Sequence, residues 1–225
     1  MPAAPLPFRF VLFDMDGTLV DSAADLAASV NAMRARRGLA GLPASAYGPA
    51  ASVGSAALLK IGFGTGPEAP EFPALREEFF AEYEKRCGLS PALFPGIPEA
   101  LAAIDGLGLP WGVVTNKPQA FAEKIAAAAP AFSRCRAIVG ARPGLAAKPA
   151  PDGIREGLRL LGGEAKGALY CGDDLRDLQA ARAAGTMAAF ARWGYWDGPE
   201  ALLAPLAPDY DLERPASLLK VFSPV

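Results

Sequence analysis

No histidine occurs among the 225 residues of this chain, and that absence excludes more chemistry than most motifs could include. A Ser-His-Asp or Cys-His hydrolase, or a histidine-ligated zinc site, cannot be built from it. Any general base must be a carboxylate, a lysine, a tyrosine or a thiol. Cysteine is scarce as well. Cys87, Cys135 and Cys171 are odd in number and far apart, which fits small reduced core residues and argues against a disulfide framework or a zinc knot.

Charge of one sign is not in excess: Lys+Arg 22 against Asp+Glu 24 gives a net charge of -2. There is no electrostatic footprint for nucleic acid or an anionic membrane, so an anionic substrate must be met by a local positive site. Long apolar runs are missing too. Only Arg9 precedes the four-residue run Phe10–Phe13, too short for a secretory apolar region, and Gly38 to Leu59 is uncharged but interrupted by Pro43 and Pro49. A soluble cytoplasmic protein with neither a nucleic-acid nor a membrane partner is expected. The phosphate loop GxxxxGK[ST], the fingerprint GxGxxG and internal repeats are all absent.

What is present begins with a hydrophobic content of 52%, enough over this length to bury a full core. The stretch FDMDGTLVDS, Phe13 to Ser22, ends an apolar run with two carboxylates spaced two apart. Phe10, Val11, Leu12 and Phe13 are apolar on both parities, as in a strand covered on both faces of a parallel sheet. Strand side chains alternate, so Asp14 and Asp16 lean to one side where the strand opens at Gly17 and Thr18. Two anionic groups held so close repel unless a cation lies between them or one carries a proton.

Beyond this strand, Asp21 or Ser22 is placed to cap a helix running towards Arg37, with Gly38 as its stop. The arginines of MRARRG suit the negative end of that helix and read as a solvated terminus. A short helix from Val53 to Ile61 and an amphipathic one from Phe72 to Cys87 follow. From Phe94 the pattern becomes strand alternating with helix, the signature of a parallel sheet with right-handed crossovers. Strands are expected at Trp111–Thr115, Ala137–Val139, Ala168–Cys171 and Met187–Phe190, and helices at Pro98–Ile104, from Pro118 to near Ala129, Asp152–Leu161 with Asp152 as cap, and Leu175–Ala184. Packing helices are expected in the tail from Glu200.

Three polar clusters then fall at carboxyl ends of expected strands: Asp14 with Asp16, Thr115 with Asn116, and Asp173 with Asp174 and Asp177. Ligands bind at that edge of an open parallel sheet. The carboxylates suit Mg²⁺, which takes hard oxygen ligands and shares a substrate phosphate. Thr115 and Asn116 offer a hydroxyl, an amide and backbone N–H groups for a phosphate, and Lys148 supplies a positive charge for phosphoryl oxygens. The aromatic cluster Trp193, Tyr195 and Trp196 is suited to stacking on a sugar, although packing is its commoner use.

FDMDGTLVDS, VVTNKP, KPAPDG, and YCGDDLRD with AARAAG after it, stand in this order between residues 13 and 185 and resemble the haloacid dehalogenase superfamily, in its phosphoglycolate phosphatase-like branch. The resemblance implies an α/β fold: a Rossmann-like parallel-sheet core, residues 1–19 and 93–225, with a small helical cap, residues 20–92, inserted after the first strand. It implies Mg²⁺-dependent hydrolysis of a small phosphorylated metabolite. Asp14 would be the nucleophile that becomes an aspartyl phosphate, and Asp16 the acid and base. Thr115, Asn116 and Lys148 would hold the phosphoryl group. Asp173 would ligate Mg²⁺ with Asp14 and the Asp16 carbonyl oxygen, and Asp177 would order metal-bound water. In the cap, VGSAALL, with Gly54 and Ser55, is similar to the segment that approaches substrate in phosphoglycolate phosphatases, but carries no arginine or lysine before Lys60. MRARRGL, WGVVTNKP, CGDDLRD and LREEFFAEYEKRC are similar to bacterial N-acetylmuramic acid 6-phosphate phosphatases. The resemblance therefore implies phosphoglycolate or N-acetylmuramic acid 6-phosphate as the substrate. A sugar phosphomutase of the same superfamily and a phosphoaspartate signalling module are the alternatives.

Overall fold

In the computed structural model, which describes residues 6–223, β1 (Phe10–Phe13) lies inside a six-stranded sheet. The later strands are β2 (Trp111–Pro118), β3 (Ala137–Ala141), β4 (Ala168–Gly172), β5 (Met187–Ala191) and β6 (Tyr210–Leu212). All neighbours are parallel, in the order β3-β2-β1-β4-β5-β6. The order reverses at β1, where a crevice forms at the carboxyl ends of the strands. This is the α/β fold read from the sequence.

Between β1 and the helix that precedes β2 run four helices that pack on one another: α1 (Ala23–Arg36), α2 (Gly48–Val53), α3 (Ser55–Phe63) and α4 (Phe72–Glu84). The remaining helices are α5 (Ile97–Gly106), α6 (Gln119–Ala128), α7 (Asp152–Leu161), α8 (Leu175–Ala184) and α9 (Leu218–Val221). The double-sided strands divide the core in two. Val11, Phe13, Val113 and Leu169 meet α5 and α6 through Ile97, Leu101 and Ile125. Leu12, Val114 and Tyr170 meet α7 and α8 on the opposite face through Ile154, Leu158 and Leu178.

Several local expectations are corrected. The helix expected over Val53–Ile61 is two helices, α2 and α3, divided at Gly54, whose φ of 101° is open to glycine and strained for other residues. The helix expected to reach Cys87 ends at Glu84. Ser22 stands at the N-cap of α1, but its buried hydroxyl has no hydrogen-bond partner. Asp152 is the first residue of α7, with Pro151 at the cap position. The tail holds an edge strand, β6, besides short helical turns, since Tyr210 to Leu212 pair with Ala189 to Ala191. The arginines closing α1 are engaged: Arg36 and Arg37 bind Glu78 of α4 at 2.8 and 2.5 Å, and Arg36 binds Glu82 at 2.7 Å. Among the described residues no helix is long and apolar enough to cross a membrane.

Candidate active site

The backbone N–H of Asp14 donates to the carbonyl of Cys171 at 2.8 Å, which extends the pairing of β1 with β4 and fixes the Asp14 side chain at the sheet edge. Directly after it, the Met15 carbonyl accepts from the N–H groups of Leu19 and Val20, and Gly17 turns with a φ of 87°. Asp16 is thereby held at the start of a tight loop, buried beside Asp14. Gly17 is required twice over, because a Cβ there would also lie 2.2 Å from Asp173 Oδ2.

Strand β2 brings Thr115 and Lys117 to the same cleft. The pairing of β2 with β3 is irregular between Val114 and Pro118, a distortion of the kind that re-aims side chains next to sites. The strand continues past the expected Thr115 to Pro118, and α6 begins at Gln119, so Thr115 and Asn116 belong to the strand and not to a helix start. Thr115 Oγ1 accepts from the Lys117 N–H at 3.2 Å. Lys117 Nζ donates to both oxygens of Asp16, at 3.0 and 2.9 Å. Asn116 has a different task from the expected one. Its amide donates to the Lys148 carbonyl at 3.0 Å and accepts from the Lys148 N–H at 2.8 Å, so it fixes the loop that carries Lys148.

Lys148 is buried, with Nζ 2.8 Å from Asp14 Oδ1 and 2.6 Å from Asp177 Oδ1. It also donates to the hydroxyl of Tyr170 on β4 at 2.9 Å. That hydroxyl lies 2.9 Å from the Val114 carbonyl and 3.1 Å from Asp177 Oδ1, and its one proton serves one acceptor at a time. Desolvation of the ammonium is outweighed by the two carboxylates, and the Lys148 pKa lies above its ordinary value.

Asp173 follows β4 and is fully buried. Thr18 Oγ1 donates to its Oδ1 at 2.9 Å, while Ser52 Oγ and the Tyr195 N–H donate to its Oδ2 at 3.0 and 2.9 Å. Asp174 is the N-cap of α8, accepting from the Arg176 N–H at 2.9 Å, and its N–H is accepted by Asp177 Oδ2 at 3.1 Å in a capping box. Burial, then the neighbouring Asp14 and Asp177, pushes the Asp173 carboxyl well above the carboxylate range. Burial also lifts Asp14 to about 6, against the attraction of Lys148.

Burial leads both shifts, and neighbouring carboxylates add to them. The carboxylates of Asp14, Asp16, Asp173 and Asp177 face the ammonium groups of Lys117 and Lys148, leaving a surplus of two negative charges that one divalent cation would cancel. Asp14, Asp173 and Asp177 each present an oxygen within 4.8 Å of the others. Asp14 Oδ1 is buried and, although close to Lys148, has no aligned hydrogen-bond donor. All these donors are hard oxygens, so the residues fit Mg²⁺. The oxygens of Asp177 accept from Lys148 and the Asp174 N–H, as those of Asp173 accept from Thr18, Ser52 and the Tyr195 N–H.

Asp14, Asp16, Thr115, Asn116, Lys148 and Asp177 line one cavity of about 230 Å³. The four-helix segment closes it from the other side, and Gly54 and Ser55 are among the residues that line it. Asp173 lies beneath the lining. Trp193, Tyr195 and Trp196 are not on the cavity wall. Trp193 Nε1 donates to the Thr18 carbonyl at 2.9 Å, and the Tyr195 hydroxyl donates to Asp21 at 2.8 Å, so these rings buttress the loop after β1. Sequence reasoning missed the roles of Lys117, Tyr170 and Ser52, and the entry of Arg76 and Arg176 into the cleft. VVTNKP contained Lys117 without indicating its partner.

A parallel α/β sheet with carboxylates and lysines converging at its switch point suits chemistry on a phosphate group, and similarity to known proteins gives the class. The profile described as haloacid dehalogenase-like hydrolase matches residues 8–185. The chain is 40% identical to the N-acetylmuramic acid 6-phosphate phosphatase of Pseudomonas aeruginosa over 95% of its length and 94% of the relative's. It is 39% identical to the phosphoglycolate phosphatase of Xanthomonas campestris pv. campestris, covering 93% of this chain and 94% of that one. The crystal structure of a predicted phosphoglycolate phosphatase from Haemophilus somnus superposes with a TM-score of 0.82 at 26% identity, over 96% of this chain and 99% of that chain. The chain belongs to the haloacid dehalogenase-like hydrolases and is an enzyme of their phosphatase type.

Proposed function

We propose that the protein hydrolyses a small phosphate monoester in two steps, through a phosphoryl group carried on Asp14. The observation that supports this best is the setting of Asp14: its carboxylate is buried and lines the cavity, with the Lys148 ammonium 2.8 Å away. A nucleophile needs a free lone pair, and the developing charge on phosphorus needs a fixed cation. Lys148 and the Thr115 hydroxyl hold the phosphoryl oxygens. Asp16, which must enter this step protonated, gives that proton to the leaving alkoxide oxygen and recovers one from the water that attacks the phosphoaspartate, so the proton balance closes over the cycle. Asp16 also disfavours a long-lived phosphoaspartate signal, since a base beside the acyl phosphate shortens its life.

Asp14 and Asp173 are the side chains that would hold Mg²⁺, with the Asp16 carbonyl oxygen. The ion supplies Lewis-acid polarisation of a phosphoryl oxygen when bound. Residues 20–92 act as a cap whose approach excludes bulk water. The substrate is a small phosphorylated metabolite, with N-acetylmuramic acid 6-phosphate and phosphoglycolate as the candidates from the relatives' activities. Nucleic acid and membrane are not partners in this reading, and the cytoplasm is its site of action.

The test is phosphate release from a generic phosphomonoester by Asp14→Asn. Turnover should fall by at least roughly a thousandfold with the circular dichroism spectrum retained. Ordinary turnover by that variant would remove Asp14 as nucleophile. A mutase would instead return an isomerised ester without free phosphate.

A further inference from the structure

Four cations face the cleft, and three have carboxylate partners. Lys148 is matched by Asp14 and Asp177, Lys117 by Asp16, and Arg176 by Asp174. The fourth, Arg76, stands exposed on α4 and lines the same cavity as Asp14. Among the described residues no carboxylate lies within ion-pair distance of it, and its guanidinium rests 5.2 Å from the centroid of the Phe80 ring. Stacking on an aromatic face leaves the in-plane N–H donors free for a planar anion.

The position of Arg76 along the cleft decides which anion it fits. Arg76, Phe79, Phe80 and Tyr83 recur at helical spacing and share one face of α4. Tyr83 marks the inner end, where Lys117 Nζ lies 4.5 Å from its ring centroid and holds Asp16. Arg76 precedes Tyr83 by seven residues, two turns, or about 10 Å along the axis. Between them stands an aromatic wall, with Phe80 5.7 Å from Phe121 and Phe121 5.2 Å from Tyr83, centroid to centroid.

Building on the phosphatase reading of Asp14, we infer that Arg76 reads a second anionic group on the substrate, a carboxylate carried by a ring-sized body that lies along the Phe80–Phe121 wall. The phosphate of such an ester occupies the inner end and its carboxylate the outer one. A two-carbon acid phosphate, whose anionic groups are a few bonds apart, does not span the wall. The segment Val53–Leu59 needs no basic residue of its own in this arrangement, because the clamp comes from α4, and Arg176, which reaches the Ser52 carbonyl, is already paired with Asp174.

The experiment compares N-acetylmuramic acid 6-phosphate with N-acetylglucosamine 6-phosphate, two esters that differ by one carboxylate-bearing ether, and adds phosphoglycolate and p-nitrophenyl phosphate. The readout is the ratio of kcat/KM for the first pair, in the wild type, Arg76→Met and Arg76→Lys. The wild type should favour the carboxylated sugar. Arg76→Met should reduce that ratio about tenfold, mainly through KM, as expected for a hydrogen bond to a charged group. Arg76→Lys should restore part of it. An unchanged ratio in Arg76→Met, no wild-type preference, or wild-type preference for phosphoglycolate would each overturn the inference while hydrolysis itself stands. No phosphate release from any of the four esters would overturn the phosphatase reading and this inference with it.

Discussion

Lys117 Nζ donates to both carboxylate oxygens of Asp16, at 3.0 and 2.9 Å, across a sequence separation of 101 residues. The pair is buried, and the Tyr83 ring covers the ammonium 4.5 Å away. It sets the direction in which Asp16 points. Replacing Lys117 by Met keeps the length of the stem but leaves Asp16 without a partner. The expected outcome is a kcat lowered by roughly ten- to a hundredfold, a modest fraction of what general acid–base catalysis supplies. Steady-state kinetics with p-nitrophenyl phosphate and with an alkyl phosphate would check it, the alkyl ester suffering more because its leaving group needs the proton.

Tyr170 anchors Lys148 from beneath. Tyr170→Phe removes an acceptor from a buried ammonium without opening a large cavity. A loss of stability of about 1–3 kcal/mol is expected, as for other buried groups left without a partner. Urea unfolding would measure it, and KM for the phosphate ester should rise as Lys148 loses its fixed position.

At Gly17 an alanine meets two obstacles, a φ of 87° and the carboxylate of Asp173 at 2.2 Å. The variant should lose both stability and divalent-cation affinity. Thermal unfolding with and without Mg²⁺ separates the two. Wild-type protein should gain stability on adding the ion, and Gly17→Ala should gain little. Treatment of the wild type with a chelator should abolish turnover, and Mg²⁺ should restore it.

The Glu78 carboxylate, bonded to Arg37 and Arg36, has its pKa lowered from 4.5 to about 2. A folded-state value below the unfolded one means that the contribution to stability is complete above about pH 4.5 and is lost as pH falls towards 2. The side chain is partly solvated, so the effect should stay under about 1 kcal/mol. Glu78→Gln should be slightly less stable at pH 7 and lose less than the wild type on acidification, as read by urea midpoints between these limits. An equal acid loss in both proteins would remove Glu78 from the account.

Much of this site was legible because its chemistry is concentrated at strand ends. Asp14, Thr115 and Asp173 each terminate a run of apolar residues, and strand ends in a parallel sheet share one edge, so their convergence follows from topology. The partners of each side chain were not legible. Asn116 carries the same amide whether it meets a phosphate or the Lys148 backbone, and only the loop's position decides. Arg36 and Arg37 read in the sequence as a solvated helix end, and nothing there marks their ties to α4. The edge strand β6 escaped notice because three residues, Tyr-Asp-Leu, hold too little periodicity to register.

Ser52 belongs to α2, yet its hydroxyl rests on Asp173 and its carbonyl accepts from Arg176 at 2.8 Å. A single small residue therefore fastens the helical lid to the floor at two points. If residues 20–92 act as the proposed cap, an outward swing of α2 would have to undo both fastenings together, and the same movement would free one lone pair on Asp173 Oδ2, which the Tyr195 N–H also engages.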